Sequence, residues 1–257
     1  MSLLISNVFT YDEDAGNYIQ AVETADAQAL EPATRKAINN FVIGCKQDGV
    51  WSAIKASCIL AGARTLSGAL VPLAGTAPTN TNFVSGDYNR KTGLLGNGSG
   101  KYLTSNRNND ADPQNSKHIS LWQATGGNNC ASMGGKANDA SAYIDTGGTG
   151  FRPKINNNSA ASFSPAPQAN TFLGASRGAA SFFNYRFNGR SGTVSAGSST
   201  PASHTTFVFA RRNAASNFAE GFTTGRIAFY SIGESLDLAL LDARVTDLIN
   251  AFAVTIP

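Results

Sequence analysis

From Leu66 to Ile232 the chain is a succession of short apolar, aromatic and β-branched runs, with glycine- and asparagine-rich clusters between them. The runs are Phe83–Val84, Leu94–Leu95, Lys101–Thr104, His118–Gln123, Ser141–Asp145, Phe151–Ile155, Thr171–Ala175, Phe182–Phe187, Val194–Ala196, Thr205–Ala210 and Arg226–Ile232. Asn-Asn-Asp, Gly-Gly-Asn-Asn and Asn-Asn-Asn clusters separate them, and these residues enter tight-turn conformations at little cost. Runs this short read as strands rather than helices. Many short strands between turns can bury their apolar faces as a sandwich or a barrel. Asn188–Gly189, between Phe187 and the run at Val194, has the chemistry of a two-residue hairpin. No internal repeat of fixed period is present.

The flanks read differently. Thr224–Phe252 reads as a strand, Arg226–Ile232, stopped by Gly233 and followed by a helix. Ser235 is the expected N-cap, with Asp237 and Asp242 early in the helix, where its dipole favours negative charge. Leu238, Leu241, Val245, Leu248 and Phe252 recur every three or four residues and form one apolar stripe. At the other end, residues 1–23 read as an extended arm, with apolar Leu3, Ile5, Val8 and Phe9, an acidic turn at Asp12–Asp14, then Tyr18 and Ile19. Residues 24–65 read as a helical hairpin. Pro32 suits a first helical turn, Ala37, Ile38, Phe41, Val42 and Cys45 form a stripe, and Gly49 ends it. Trp51, Ile54, Cys58 and Ile59 suggest the second helix, ending near Gly62, with Trp51 as an anchor to the β region. The division is therefore an arm (1–23), a helical hairpin (24–65), and a β-sandwich closed by a C-terminal helix (66–257).

The 257 residues carry a net charge of +3, with 14% charged residues. That is too weak and too dispersed for a nucleic-acid footprint. The basic pairs Arg90–Lys91 and Arg211–Arg212 read as solvated surface. No apolar run reaches the length of a membrane-spanning helix, and the first residues lack the pattern of a secretory leader. Cys45, Cys58 and Cys130 are odd in number and irregularly spaced. Cys45 and Cys58, on the expected helices, read as small core hydrophobes. No zinc-ligand spacing joins them to His118 or His204. Reduced thiols without a leader point to synthesis in a cytoplasm.

The segment FVSGDYNRKTGLLGNGSGKYLTSNRNNDADPQNSKHISLWQ (Phe83–Gln123) resembles the laminin-G-like, concanavalin A-like jelly rolls of bacteriophage structural proteins. The resemblance rests on a TGL-x-G-x-G turn before a KYL strand, an Asn/Asp-rich loop and the strand KHISLW. GRIAFYSIGESLDLALLDARV is similar to the closing strand and helix of the same phage domains, and Thr24–Leu60 is similar to their helical lead-in. Together these segments extend over most of the chain beyond Thr24. The resemblance implies a mainly β, antiparallel two-sheet sandwich of carbohydrate-binding ancestry. Its relatives occur in tail fibres, baseplates and head decorations.

Function has to be argued from a site. Glycoside hydrolysis needs two carboxylates across the scissile bond. The E-x-D-x-x-E strand pattern of concanavalin-like hydrolases is absent, and Glu220 and Glu234 are the β-region glutamates. Asp139 with Asp145 is the remaining pair, set against an ordinary reading as turn residues. No G-x-S-x-G elbow accompanies His118 or His204, and both read as structural or surface groups. Gly96–Gly100 lacks the lysine of a phosphate loop. Asn106, Asn108, Asp110 and Asp112 offer hard oxygen ligands, so the 106–112 loop is a calcium candidate set against an Asx-turn reading. Tyr143, Phe151 and Tyr185 read as core, with sugar stacking as the alternative; Trp122 reads as core. No catalytic, cofactor-binding or metal residue is assigned. The expectation is a non-enzymatic bacteriophage virion protein, made in the host cytoplasm: a lectin-like tail module (fibre or baseplate) that contacts other virion proteins and its own copies as a homotrimer. Host surface glycan is a further possible partner; nucleic acid and membrane are not. The alternatives are a head decoration or cement protein and, further off, a polysaccharide-degrading enzyme.

Overall fold

The computed structural model describes residues 10–127, 131–137, 140–146, 150–158 and 161–257. Leu3, Ile5, Val8, Phe9, Cys130 and Asp139 lie outside the described residues. Three layers stack: helices, a first sheet, and a second sheet.

The helices are α1 (Glu13–Asp26), α2 (Pro32–Gln47), the one-turn α3 (Leu66–Ala69) and α4 (Leu238–Thr255). The first sheet contains β1 (Ile54–Ile59), β3 (Tyr88–Asn89), β4 (Gly93–Leu95), β6 (Lys117–Thr125), β10 (Thr171–Arg177), β11 (Phe182–Phe187), β12 (Arg190–Ser195) and β16 (Arg226–Gly233). Its order is β12-β11-β10-β6-β16-β4-β3, and β1 runs along the rest of the β16 edge. The second sheet contains β2 (Thr79–Thr81), β5 (Tyr102–Asn108), β7 (Ala131–Lys136), β8 (Ser141–Asp145), β9 (Arg152–Asn157), β13 (Thr205–Val208), β14 (Arg211–Asn213) and β15 (Ala219–Glu220). The order β15-β14-β7-β13-β5-β2 is extended by β8 and β9 on the other side of β7. Pairing is antiparallel except between β14 and β7. Of the sandwich and barrel that the strand spacing allows, the chain forms the sandwich, with the two-sheet, jelly-roll-like form that the resemblance implies.

Side-chain alternation in the first sheet separates two cores. Ile59, Trp122, Phe172 and Phe229 pack with the stripes of α1, α2 and α4. Ile119, Leu121, Leu173, Tyr230 and Ile232 point the other way, against Leu103, Met133, Ile144 and Val208 of the second sheet. Both faces of β6 are therefore covered, and eight of its nine residues are buried. Each buried aliphatic or aromatic side chain contributes about 1.5–3 kcal/mol. Phe41 of α2 meets Phe229 of β16 edge-on at 5.8 Å, tying the helical layer to the sheet.

The expected stripes of α2 and α4 are buried throughout. Pro32 opens α2, and Gly49, at φ +72°, follows its end. Phe182–Phe187 and β11 coincide, and Asn188 and Gly189, both at positive φ, join β11 to β12 as a two-residue hairpin.

Four local expectations need correction. Residues 13–23 are helical rather than extended, because Asp12 caps α1 by accepting from the Asp14 amide. Ala15, Tyr18, Ile19 and Val22 then form its buried stripe. Residues 54–59 form a strand rather than the hairpin's second helix. The apolar spacing fitted a helix, but the open edge of β16 needs backbone partners and β1 supplies them. The pair of N-terminal helices is thus α1 and α2, and Cys58 lies on a strand. The cap of α4 is Asp237, which accepts from the amides of Ala239 and Leu240, whereas Ser235 faces Ser116. Finally, Phe83–Val84 is not a strand; β2 precedes it.

Candidate binding face

The helices cover one face of the first sheet, and the second sheet covers the other. The outer face of the second sheet carries no further layer among the described residues. Its register builds a row of side chains. Arg211 of β14 stands opposite Glu220 of β15 and Gly134 of β7. Gly134 stands opposite Tyr143 of β8, and Tyr143 opposite Lys154 of β9. Side chains paired across neighbouring strands project to the same face.

Gly134 adopts φ +133°, and a Cβ there would lie 2.3 Å from the Ala142 carbonyl oxygen and 2.4 Å from Tyr143 Cα. Across this glycine the Arg211 guanidinium lies 5.4 Å from the Tyr143 ring centroid. Lys154 Nζ lies 5.5 Å from the same centroid. Such contacts are worth about 0.5–2 kcal/mol each, more when desolvated.

Arg211 engages both nearby carboxylates, Glu220 at 2.9 Å and Asp145 at 3.3 Å. Asn213 Nδ2 donates to the second oxygen of Glu220 at 2.9 Å. Burial alone would raise the Glu220 pKa, but the hydrogen bonds from Asn213 and Arg211 outweigh it and hold the carboxyl below its ordinary value. Lys154 donates to the carbonyl and side-chain oxygens of Asn158 and meets no carboxylate among the described residues. Burial, together with the charges of Lys136 and Arg211, pushes its pKa down. Burial likewise raises that of Tyr143. Lys136, half exposed, reaches no closer than 4.0 Å to Glu220. It also borders a cleft of about 370 Å³ shared with Ala137, Asn213, Ala214 and Ala215. Farther along the sheet, Tyr102 and Phe207 pack at 4.7 Å, with the Arg212 guanidinium 5.7 Å from the Phe207 ring.

Arg211 and Arg212 are thus not solvated surface, since each lies against an aromatic ring. Arg90 departs from that reading too: it forks onto Glu31 and donates to the Ala63 carbonyl. The common cause is that a guanidinium satisfies several acceptors at once and tolerates partial burial. No sequence signal brought these residues together, because the row depends on which strands become neighbours.

Of the sugar-stacking candidates, Tyr143 stands on this face. Phe151 is buried between the sheets, stacked on Phe187 at 4.8 Å. Tyr185 packs against Phe163 at 4.0 Å beside the same core. Trp122 is core. Trp51 binds within the helical layer, donating Nε1 to Asp14. Cys45 and Cys58 are buried thiols, each pushed up to about 12 by burial.

The 106–112 segment does not converge on a point. Asn106 and Asn108 belong to β5, where Asn106 bonds Ala77 and Thr79 and Asn108 accepts from Thr205. Asp112 is buried between Arg107 and Lys117. No group of three His, Cys, Asp or Glu side chains able to hold a metal occurs among the described residues. His118 is buried, held by the Glu234 carbonyl at 2.6 Å and Ser231 Oγ at 2.8 Å; burial lowers its pKa to about 4. His204 is buried against Gly135. Glu234 pairs with Lys55 in a partly exposed contact. No described helix is long and apolar enough to cross a membrane.

No family model and no curated protein matches the sequence. Among solved structures, the botulinum neurotoxin serotype D binding domain aligns with 76% of this chain and 50% of its own, at 11% identity and a TM-score of 0.49. A structure of botulinum neurotoxin type C, described as dependent on two ganglioside molecules for cell entry, aligns with 62% of this chain and 42% of its own, at 16% identity and a TM-score of 0.40. Trypanosoma rangeli sialidase in complex with 2,3-difluorosialic acid aligns with 92% of this chain and 38% of its own, at 10% identity and a TM-score of 0.47. The chain spans half or less of each of these structures.

Proposed function

We propose that this chain is a non-catalytic structural and recognition component of a bacteriophage particle, a lectin-like module on the tail. The observation that carries the reading is the asymmetry of the three layers. One sheet is committed to the helices, while the outer face of the other offers cations, a tyrosine and hydrogen-bond acceptors. Such a module can attach through one side and recognise through the other. The particle itself is supported by the resemblance of Phe83–Gln123 and of the closing strand and helix to phage β-sandwich domains.

Recognition is favoured over hydrolysis by the state of the carboxylates. A glycosidase's general acid needs a raised pKa. Glu220 is held low, and it shares Arg211 with Asp145. Association with other virion proteins, assembly as a homotrimer and contact with host surface glycan belong to the same proposal.

The test is gold labelling of purified phage particles with antibodies against the folded protein, paired with a turnover assay on host surface polysaccharide. Labelled tails and no released sugar ends are expected. Labelling confined to heads would replace the tail with a capsid-decoration role. Unlabelled particles, or measurable turnover, would overturn the reading.

A further inference from the structure

We propose that the Lys136–Tyr143–Lys154 region of the second sheet's outer face binds an acidic sugar, a glycan residue bearing a carboxylate. This assignment rests on the recognition role above and names the ligand class of that face.

The argument begins with charge. Lys136, Lys154 and Arg211 supply three cations to the row, and Glu220 and Asp145 supply two carboxylates. Arg211 occupies both carboxylates. Arg152, opposite Asp145 across the β8–β9 pair, is exposed and adds another cation. Two ammonium groups remain undercompensated. Lys154 is only 9% exposed, yet among the described residues its hydrogen-bond partners are the neutral oxygens of Asn158. A desolvated cation without a counter-charge is costly, and an arriving anion relieves that cost.

The surroundings narrow the class of anion. The cleft beside Lys136, about 370 Å³, falls within the range of about 300–1,000 Å³ common for small-ligand pockets. Its wall carries Asn213, whose Nδ2 donates to Glu220 and whose Oδ1 accepts from the Ala215 amide, so the Lys136 ammonium is the cleft's available polar side chain. The two lysines left without a close counter-charge match one carboxylate, whereas a polyphosphate backbone, with a charge on every unit, calls for a longer track of cations. The Tyr143 ring, held against Arg211 and Lys154, fixes both cations in place.

The experiment is calorimetric titration of the full chain with oligosaccharides of glucuronic acid and of N-acetylneuraminic acid, each beside its neutral counterpart, and with single-stranded DNA. Acidic sugars are expected to bind at least tenfold more tightly than neutral ones. Lys136→Gln, at a half-exposed position, and Lys154→Gln are each expected to weaken acidic-sugar binding tenfold or more. Thermal melting confirms that each variant is folded; if Lys154→Gln is not, Lys136→Gln alone decides. Equal binding of acidic and neutral sugars, no binding of either, tighter binding of DNA, or wild-type affinity in Lys136→Gln would overturn the assignment. Particle labelling is a separate readout. Labelled tails without acidic-sugar binding would remove this ligand class and leave the recognition role standing.

Discussion

Lys117 Nζ lies 3.2 Å from Asp112 Oδ2, and neither side chain exposes any surface. The pair sits at one end of the sandwich, where β6 begins. Arg107 adds a second cation to the carboxylate, and Lys117 also donates to the Asn109 carbonyl at 3.0 Å. Burial pushes the Asp112 pKa up, but these partners outweigh it and hold the carboxyl ionised. Removing one partner of a buried pair strands the other's charge. Asp112→Asn is therefore expected to cost about 3–5 kcal/mol in urea unfolding. The double variant Asp112→Asn/Lys117→Met should recover a large part of that loss; a double variant no more stable than the single would show that the charge is not what is stranded.

Arg177 is fully buried, and among the described residues no carboxylate pairs with it. Its guanidinium instead collects the carbonyls of Ile155, Ala179, Ala180, Phe182 and Ala196, joining β9, the β10–β11 connection and the end of β12. An unpaired buried acceptor costs about 1–3 kcal/mol. A lysine cannot reproduce the planar fork, so Arg177→Lys should lower stability by about 3 kcal/mol or more in guanidinium unfolding. A loss below about 1 kcal/mol would mean the carbonyls find other partners.

Acid should weaken the fold in two stages. His118, at about 4, lies below its ordinary 6.5, so the unfolded chain takes up its proton first. Its contribution is complete above about pH 6.5 and is lost as pH falls toward 4. Hydrogen bonding from Arg90 lowers Glu31 from 4.5 to about 2, so its contribution is lost between about pH 4.5 and 2. Each shift corresponds to something on the order of 3 kcal/mol. Unfolding free energies measured from pH 7 to 3 should lose the upper stage in His118→Asn and the lower in Glu31→Gln. An unchanged profile in either variant would reject its assignment.

Calcium should bring neither heat nor a shift in melting temperature. The Asp112 carboxylate already holds two cationic partners, and Asn106 and Asn108 are spent on Thr79, Ala77 and Thr205. Micromolar calcium affinity abolished by Asp110→Ala would contradict this.

The sequence by itself determined that many short strands form, with β6, β10, β11 and β16 close to their expected places, together with the α2 and α4 stripes and the Asn188–Gly189 hairpin, because each depends on residues near one another in the chain; no expected run marked β7 or β14. It also held a signal for α1 in Asp12, Glu13 and the spacing of Tyr18, Ile19 and Val22, which an extended reading of the terminus missed. The tertiary structure decided the fate of residues 54–59, whose periodicity fits either state until the open edge of β16 is in view. It alone made the candidate face: Lys136, Tyr143, Lys154, Arg211 and Glu220 come from five strands, and their meeting depends on strand order and register. Local chemistry fixes what each segment prefers, but hydrogen bonding between segments distant in the chain decides which side chains share a surface.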